Sequence, residues 1–163
     1  MKNPHLASSW LLAALLAPST PFAFAQAPAA PVYGASVHAE VAQKAMAAAL
    51  AEAARNGWPM AVAIVDPAGQ LVHFQKMDQT QSGSIQVAID KARSAALFRR
   101  PSKVFGDMLA AGNTYVLALT GAVPVEGGIP LLQDGKVVGA IGVSGGTGAQ
   151  DGVVARAGAD ATR

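Results

Sequence analysis

The chain has 163 residues, 52% of them hydrophobic and 13% charged, with no cysteine and a formal net charge of +2. So small a charge, with no basic stripe and no interleaved aromatics, excludes a nucleic-acid-binding surface. The absence of cysteine excludes disulfides, thiolate metal ligands, cysteine nucleophiles and covalent c-type haem attachment.

Residues 1–25 read as an export signal. Lys2 gives a positive start, and Leu6 to Ala17 is apolar apart from Ser8 and Ser9 but too short to cross a bilayer. Pro18 and Pro21 break the segment, and Ala23-Phe24-Ala25 supplies the small-x-small pattern of a cleavage site before Gln26. Cleavage there leaves residues 26–163 as a periplasmic or secreted protein of one domain. A small domain with so few charges and so much alanine has apolar surface to hide, so a homo-oligomer is expected.

Residues 26–35, with Pro28 and Pro31, read as an extended leader into a domain spanning 36–163. A helix is expected from about Ser36, with Val37, Val41, Ala45, Ala48 and Ala49 near one side, until Asn56-Gly57 and Pro59 end it. Met60–Val65 and Leu71–Lys76 form a hairpin across the turn Asp66-Pro67-Ala68-Gly69. In the second of these strands Leu71, His73 and Gln75 make the more polar face, so His73 is expected to point away from the main core. After the polar loop Gln79–Gly83, a second helix opens at Ser84 and carries Ile85, Ala88, Ile89, Ala92, Ala95 and Ala96 at three- and four-residue intervals. Pro101 ends it.

A short helix is expected over Ser102–Ala110, then a break at Gly112-Asn113 and a strand over Thr114–Thr120. Ile129–Gln133 and Lys136–Ser144 form a second hairpin across Asp134-Gly135. Gly145-Gly146 closes it, and a last helix starts near Ala149 with Asp151 placed to complement the helix dipole. This order predicts an α+β fold, a two-layer sandwich in which helices cover an antiparallel sheet.

Ala61-Val62-Ala63-Ile64-Val65-Asp66, Gly69, Lys76-Met77-Asp78, Lys91-Ala92, Gly127-Gly128-Ile129-Pro130, the run Gly139 to Gly146, Asp151 and Ala155-Arg156-Ala157-Gly158 together resemble the GlcG/HbpS family in order and spacing. The resemblance covers roughly Ser36 to Ala161. It implies a profilin- or PAS-like sandwich that assembles into higher oligomers, commonly octamers. Some exported members of that family bind haem beside a membrane sensor or uptake partner, and haem degradation is attached to its name. A related domain closes PduO-type corrinoid adenosyltransferases. The resemblance therefore implies an exported haem-binding protein serving sequestration, sensing or delivery, more a binding protein than an enzyme.

Haem needs an axial ligand, an apolar slot and cations near its propionates. The side chains able to ligate iron are His38, His73, Met77 and Tyr115, with accessible His38 favoured. Arg93, Arg99, Arg100 and Lys103 form a basic run suited to propionates or another carboxylate, and Arg93 leads it. The alternative is a small organic acid gripped by backbone N–H groups at the glycine-rich turns Gly127, Gly128, Ser144, Gly145 and Gly146. Gly142-Val143-Ser144-Gly145-Gly146 also fits G-x-S-x-G, but no histidine follows Ser144, which argues against a serine hydrolase. Glu40, Asp66, Asp78 and Glu126 fall into no metal-binding spacing with the two histidines downstream of residue 25.

Overall fold

The computed structural model describes residues 29–163; the expected export signal and the first leader residues lie outside them. In chain order the elements are α1 (Ala39–Arg55), β1 (Ala61–Val65), β2 (Leu71–Lys76), α2 (Ser84–Phe98), α3 (Lys103–Ala110), a 3-10 helix (Thr114–Ala118), β3 (Gly128–Gln133), β4 (Lys136–Ser144) and α4 (Gly148–Asp160). The strands form one antiparallel sheet in the order β2-β1-β4-β3.

Both hairpins form where the turn chemistry places them. Gly69 takes φ +80° and its N–H donates to the Asp66 carbonyl, while the Gln70 N–H donates to the Asp66 carboxylate at 2.8 Å. Asp134 and Gly135 both have positive φ, 49° and 72°, the two-residue geometry that matches strand twist.

The predicted α+β arrangement of helices over an antiparallel sheet is present, with helices on both faces. Val62, Ile64, Ile129, Leu131, Ile141 and Val143 pack under α1 and α4. Ala61, Ala63, Val65 and Ala140 pack under Ala88, Ala92, Ala95 and Ala96 of α2. Every residue of β1 is buried, so the strand reads as an unbroken apolar run rather than an alternation. Helix layers on each side of the sheet make three layers where the sequence suggested two.

The second core is built from small side chains because α2 lies directly on the sheet. A Cβ on Gly142 would overlap the Ala88 carbonyl and sit 2.9 Å from the Ala92 Cβ. One on Gly128 would overlap the Lys91 carbonyl. The alanine face of α2 and these two glycines together set the helix-to-sheet distance.

Three further expectations are corrected. The first helix starts at Ala39 with His38 as its N-cap, not at Ser36, because the Gly34 and Val37 N–H groups are held by the Val137 and Val138 carbonyls. These bonds, with the isolated parallel Tyr33–Val137 bridge, tie the leader to β4 and delay the helix. Thr114–Thr120 is not a strand but contains the 3-10 helix. No strand lies alongside to pair with it, its bonds run three residues back along the chain, and only Val116 is buried. His73 pairs across the ladder with Ile64 and so lies on the α1–α4 face, at the half-buried edge of the main core rather than away from it.

The packing of α2 gives a direct test. Gly142→Ala should cost about 3 kcal/mol, because neither backbone can yield to the new methyl group. Gly83→Ala, at φ −63° with nothing near its Cβ position, should leave the urea midpoint unchanged or raise it. Equal midpoints for the two variants would refute the close approach.

Candidate functional site

Lys91 is the largest fully buried side chain of the domain, 1% exposed, and it lies on the sheet-facing side of α2 between Ala88 and Ala92. Its ammonium donates to Asp151 Oδ2 at 2.7 Å and to the Val143 carbonyl at 3.1 Å. Asp151, 2% exposed in the first turn of α4, accepts at Oδ1 from the Gly146 N–H at 3.0 Å. Burial pushes the Asp151 carboxyl above its ordinary range, against the opposing pull of Lys91 and of the Gly146 and Gly145 N–H groups. This pair ties α2, the end of β4 and the start of α4 into one polar node.

The glycine-rich turns surround that node. Gly127 takes φ +126°, and a Cβ there would lie 2.6 Å from the Val143 carbonyl oxygen, 2.9 Å from the Asp151 Cβ and 3.0 Å from Lys91 Nζ. The Val143 N–H donates to the Gly127 carbonyl at 2.9 Å. Ser102 Oγ accepts from the Gly128 N–H at 2.9 Å and donates to the Val125 carbonyl at 2.6 Å, closing the loop from below. Ser144 is buried and donates to Ser84 Oγ at 3.1 Å. Gly127, Gly128, Ser144, Gly145 and Gly146 are thus brought together as the sequence suggested. The carboxylate held there, by the Gly146 N–H, is the chain's own Asp151. Thr147 caps α4 in a reciprocal box with Gln150, which keeps the Asp151 turn in place.

The remaining candidates lie elsewhere. His38 is exposed at the start of α1 and its side chain caps nothing. It neighbours the Val138 end of β4, four to six residues from the glycine turns, on the order of 13–20 Å along the strand. Half-buried Met77 packs on the main core. Tyr115 is 57% exposed on the 3-10 helix.

The basic run does not converge on one point. Arg93 donates to the Gly69 carbonyl at 3.0 Å. Arg99 donates to the Pro31 carbonyl at 3.1 Å and lies over the Tyr33 ring, fastening the leader. Arg100 lies over Phe105, and Lys103 pairs with Asp107. The residue that sequence reasoning missed is Lys91 as the centre of the node, and with it the role of Asp151. Its signal was a lysine set among alanines on the buried face of a helix.

Two hollows stand out among the described residues. An open one of about 550 Å³ lies at the Asp134-Gly135 turn and the Thr162-Arg163 terminus, away from every candidate ligand. A more enclosed one of about 140 Å³ lies beside Gly127 and Gly128, lined also by Lys103, Asp107, Glu126 and Arg156. No group of three His, Asp or Glu residues able to hold a metal ion occurs among the described residues.

Removing one partner of the node leaves a buried charge unpaired, so Lys91→Met and Asp151→Asn should each cost about 3–5 kcal/mol. The double variant Lys91→Met/Asp151→Asn should lose clearly less than the sum, read as a double-mutant cycle in urea. Additive losses would show that the two groups act independently.

Residues 37–160 match the family model for HbpS-like haem degrading protein. The chain is 38% identical over 105 residues to the protein GlcG of Escherichia coli K12, covering 64% of this chain and 78% of that protein. Among solved structures, a double mutant of HbpS from Streptomyces reticuli superposes with a TM-score of 0.72 at 28% identity, covering 86% of this chain and 97% of that one. The PduOC:haem complex superposes with a TM-score of 0.70 at 25% identity, covering 77% of this chain and 94% of that one. A sheet of the same build, and a family match that runs through α1, both hairpins, the lysine–aspartate node and α4, make this chain a member of the HbpS-like haem degrading protein family.

Proposed function

We propose that this protein is an exported, haem-binding homo-oligomer that sequesters haem or passes it to a membrane sensor or uptake partner. The observation that carries the reading is membership of the HbpS-like family, together with the likeness to a domain crystallised with haem. Export, with cleavage after Ala25, rests on the three-part pattern of the first 25 residues.

The build of the single chain bears on where haem would sit. Its enclosed hollow, about 140 Å³, falls below the roughly 300–1,000 Å³ of pockets that enclose sizeable ligands. The larger hollow has no histidine, methionine or tyrosine in its wall. Among the described residues neither of these two hollows joins a ligand side chain to an enclosing slot, which favours a site covered by a second copy. Exposed Leu71, Val72, Leu97, Tyr115, Leu117 and Leu119 offer apolar surface for such an assembly. His38, exposed and engaged in no capping bond, is the residue that would hold the iron, with His73 the second choice. Bound haem would supply redox-active iron. The chain's part is to ligate it and to keep it from bulk water.

The test is a haemin titration of residues 26–163, followed by absorbance, beside His38→Ala and His73→Ala. A saturable Soret shift that weakens at least tenfold in His38→Ala, on a species larger than a monomer by sedimentation, is the expected result. Absence of saturation in the unaltered protein would sink the haem reading, and a loss confined to His73→Ala would move the ligand.

A further inference from the structure

The smaller hollow, beside Gly127-Gly128, is lined from α3 and α4 and carries charges of both signs. Four charged side chains line it: Lys103 and Asp107 from α3, Glu126 from the loop before β3, and Arg156 from α4. Lys103 and Asp107 pair with each other across one turn of α3. Glu126 and Arg156 form no ion pair within 4 Å among the described residues, although both line the hollow and Lys103 lies near enough to Glu126 to feel its charge.

The seat of Glu126 is built into α4. A Cβ on Gly152 would overlap the Glu126 carboxylate, so only glycine leaves room for it, and Gly148 one turn earlier lies under the Glu126 Cβ. Glycine is unfavourable inside a helix, and here it opens a notch for one half-buried carboxylate. Arg156 follows Gly152 by one further turn, on the same face of the helix. The hollow is therefore lined by a carboxylate seated over Gly152 and by an arginine one turn further along α4.

Its volume, about 140 Å³, is well below that of pockets for drug-sized ligands, which suits a solute of only about six or seven heavy atoms. Two cations and two carboxylates leave the lining without net charge, so it favours neither an anion nor a cation. A molecule carrying both charges on a short frame complements it. Its carboxylate would meet the planar fork of Arg156, and its ammonium the acceptor oxygens of Glu126. We propose that the hollow between α3 and α4 is a binding site for a small zwitterion, an α-amino acid of about the size of alanine or serine. This site is separate from the haem reading and stands or falls without it.

The experiment is a calorimetric titration of the haem-free chain with glycine, L-alanine and L-serine, each taken to about 10 mM. Propionate and ethylamine, which carry one charge each, serve as comparisons. Saturable binding of at least one amino acid, with neither single-charge compound saturating, is expected. Glu126→Gln and Arg156→Gln should each weaken it at least tenfold, with far-ultraviolet circular dichroism and melting temperature confirming that both variants fold. Gly152→Ala, which displaces the Glu126 carboxylate, should weaken it likewise. No saturation with any amino acid overturns the proposal, as does binding that survives in both charge variants. Propionate binding as tightly as L-alanine also overturns it, because the hollow would then be an anion site.

Discussion

An ammonium group buried to 1% exposure needs every one of its partners in place, and in this domain those partners come from two other elements. Lys91 belongs to α2, its carbonyl acceptor to the end of β4 and its carboxylate to the first turn of α4. Two charges taken out of water regain their cost only when geometry and auxiliary hydrogen bonds are complete. The surrounding glycines follow from that demand. Gly127 stays bare because Lys91 and Asp151 occupy the space a side chain would take, and Gly128 and Gly142 stay bare so that α2 can come close enough for Lys91 to reach. The node thus dictates the small-residue character of the turns that frame it.

That dependence changes the meaning of the glycine-rich turns. Backbone N–H groups at a strand end before a helix are a general device for holding an anion. Here the device is present and its anion is intramolecular: Asp151 accepts from Gly146 while pairing with Lys91. The turns hold the joint between β4 and α4 closed, and the neighbouring space left to a solute lies on the far side of Gly127, between α3 and α4.

Much of the architecture was legible because it rests on local chemistry. Asp66 to Gly69 and Asp134-Gly135 announce their turns, and the alanine stripe of α2 announces its buried face. The segment Thr114–Thr120 was misread because its β-branched and aromatic residues suit a strand, whereas a strand exists only if another offers it a ladder. The start of α1 was misread for a related reason. Ser36 is a good cap by type, but the backbone around it is held by β4, a constraint set more than a hundred residues away. Of the site, the gathering of the two glycine pairs could be foreseen from the hairpin. What fills their centre could not, because Lys91 and Asp151 meet only through the packing of α2 and α4 against one sheet end. The capping box of Thr147 and Gln150 was written plainly in the sequence and lay just ahead of the helix start that periodicity indicated.

The central ladder of the sheet joins β1, residues 61–65, to β4, residues 140–144. A chain emerging from the ribosome therefore makes its most apolar strand long before that strand's partner. Closing so long a loop costs entropy before any of the ladder is gained. Until β4 arrives, β1 has only the exposed β2 beside it, and neither core can be completed. The fold thus waits for β4. Its nascent form carries an apolar strand without its central partner until then, which makes it a substrate for whatever keeps growing chains apart.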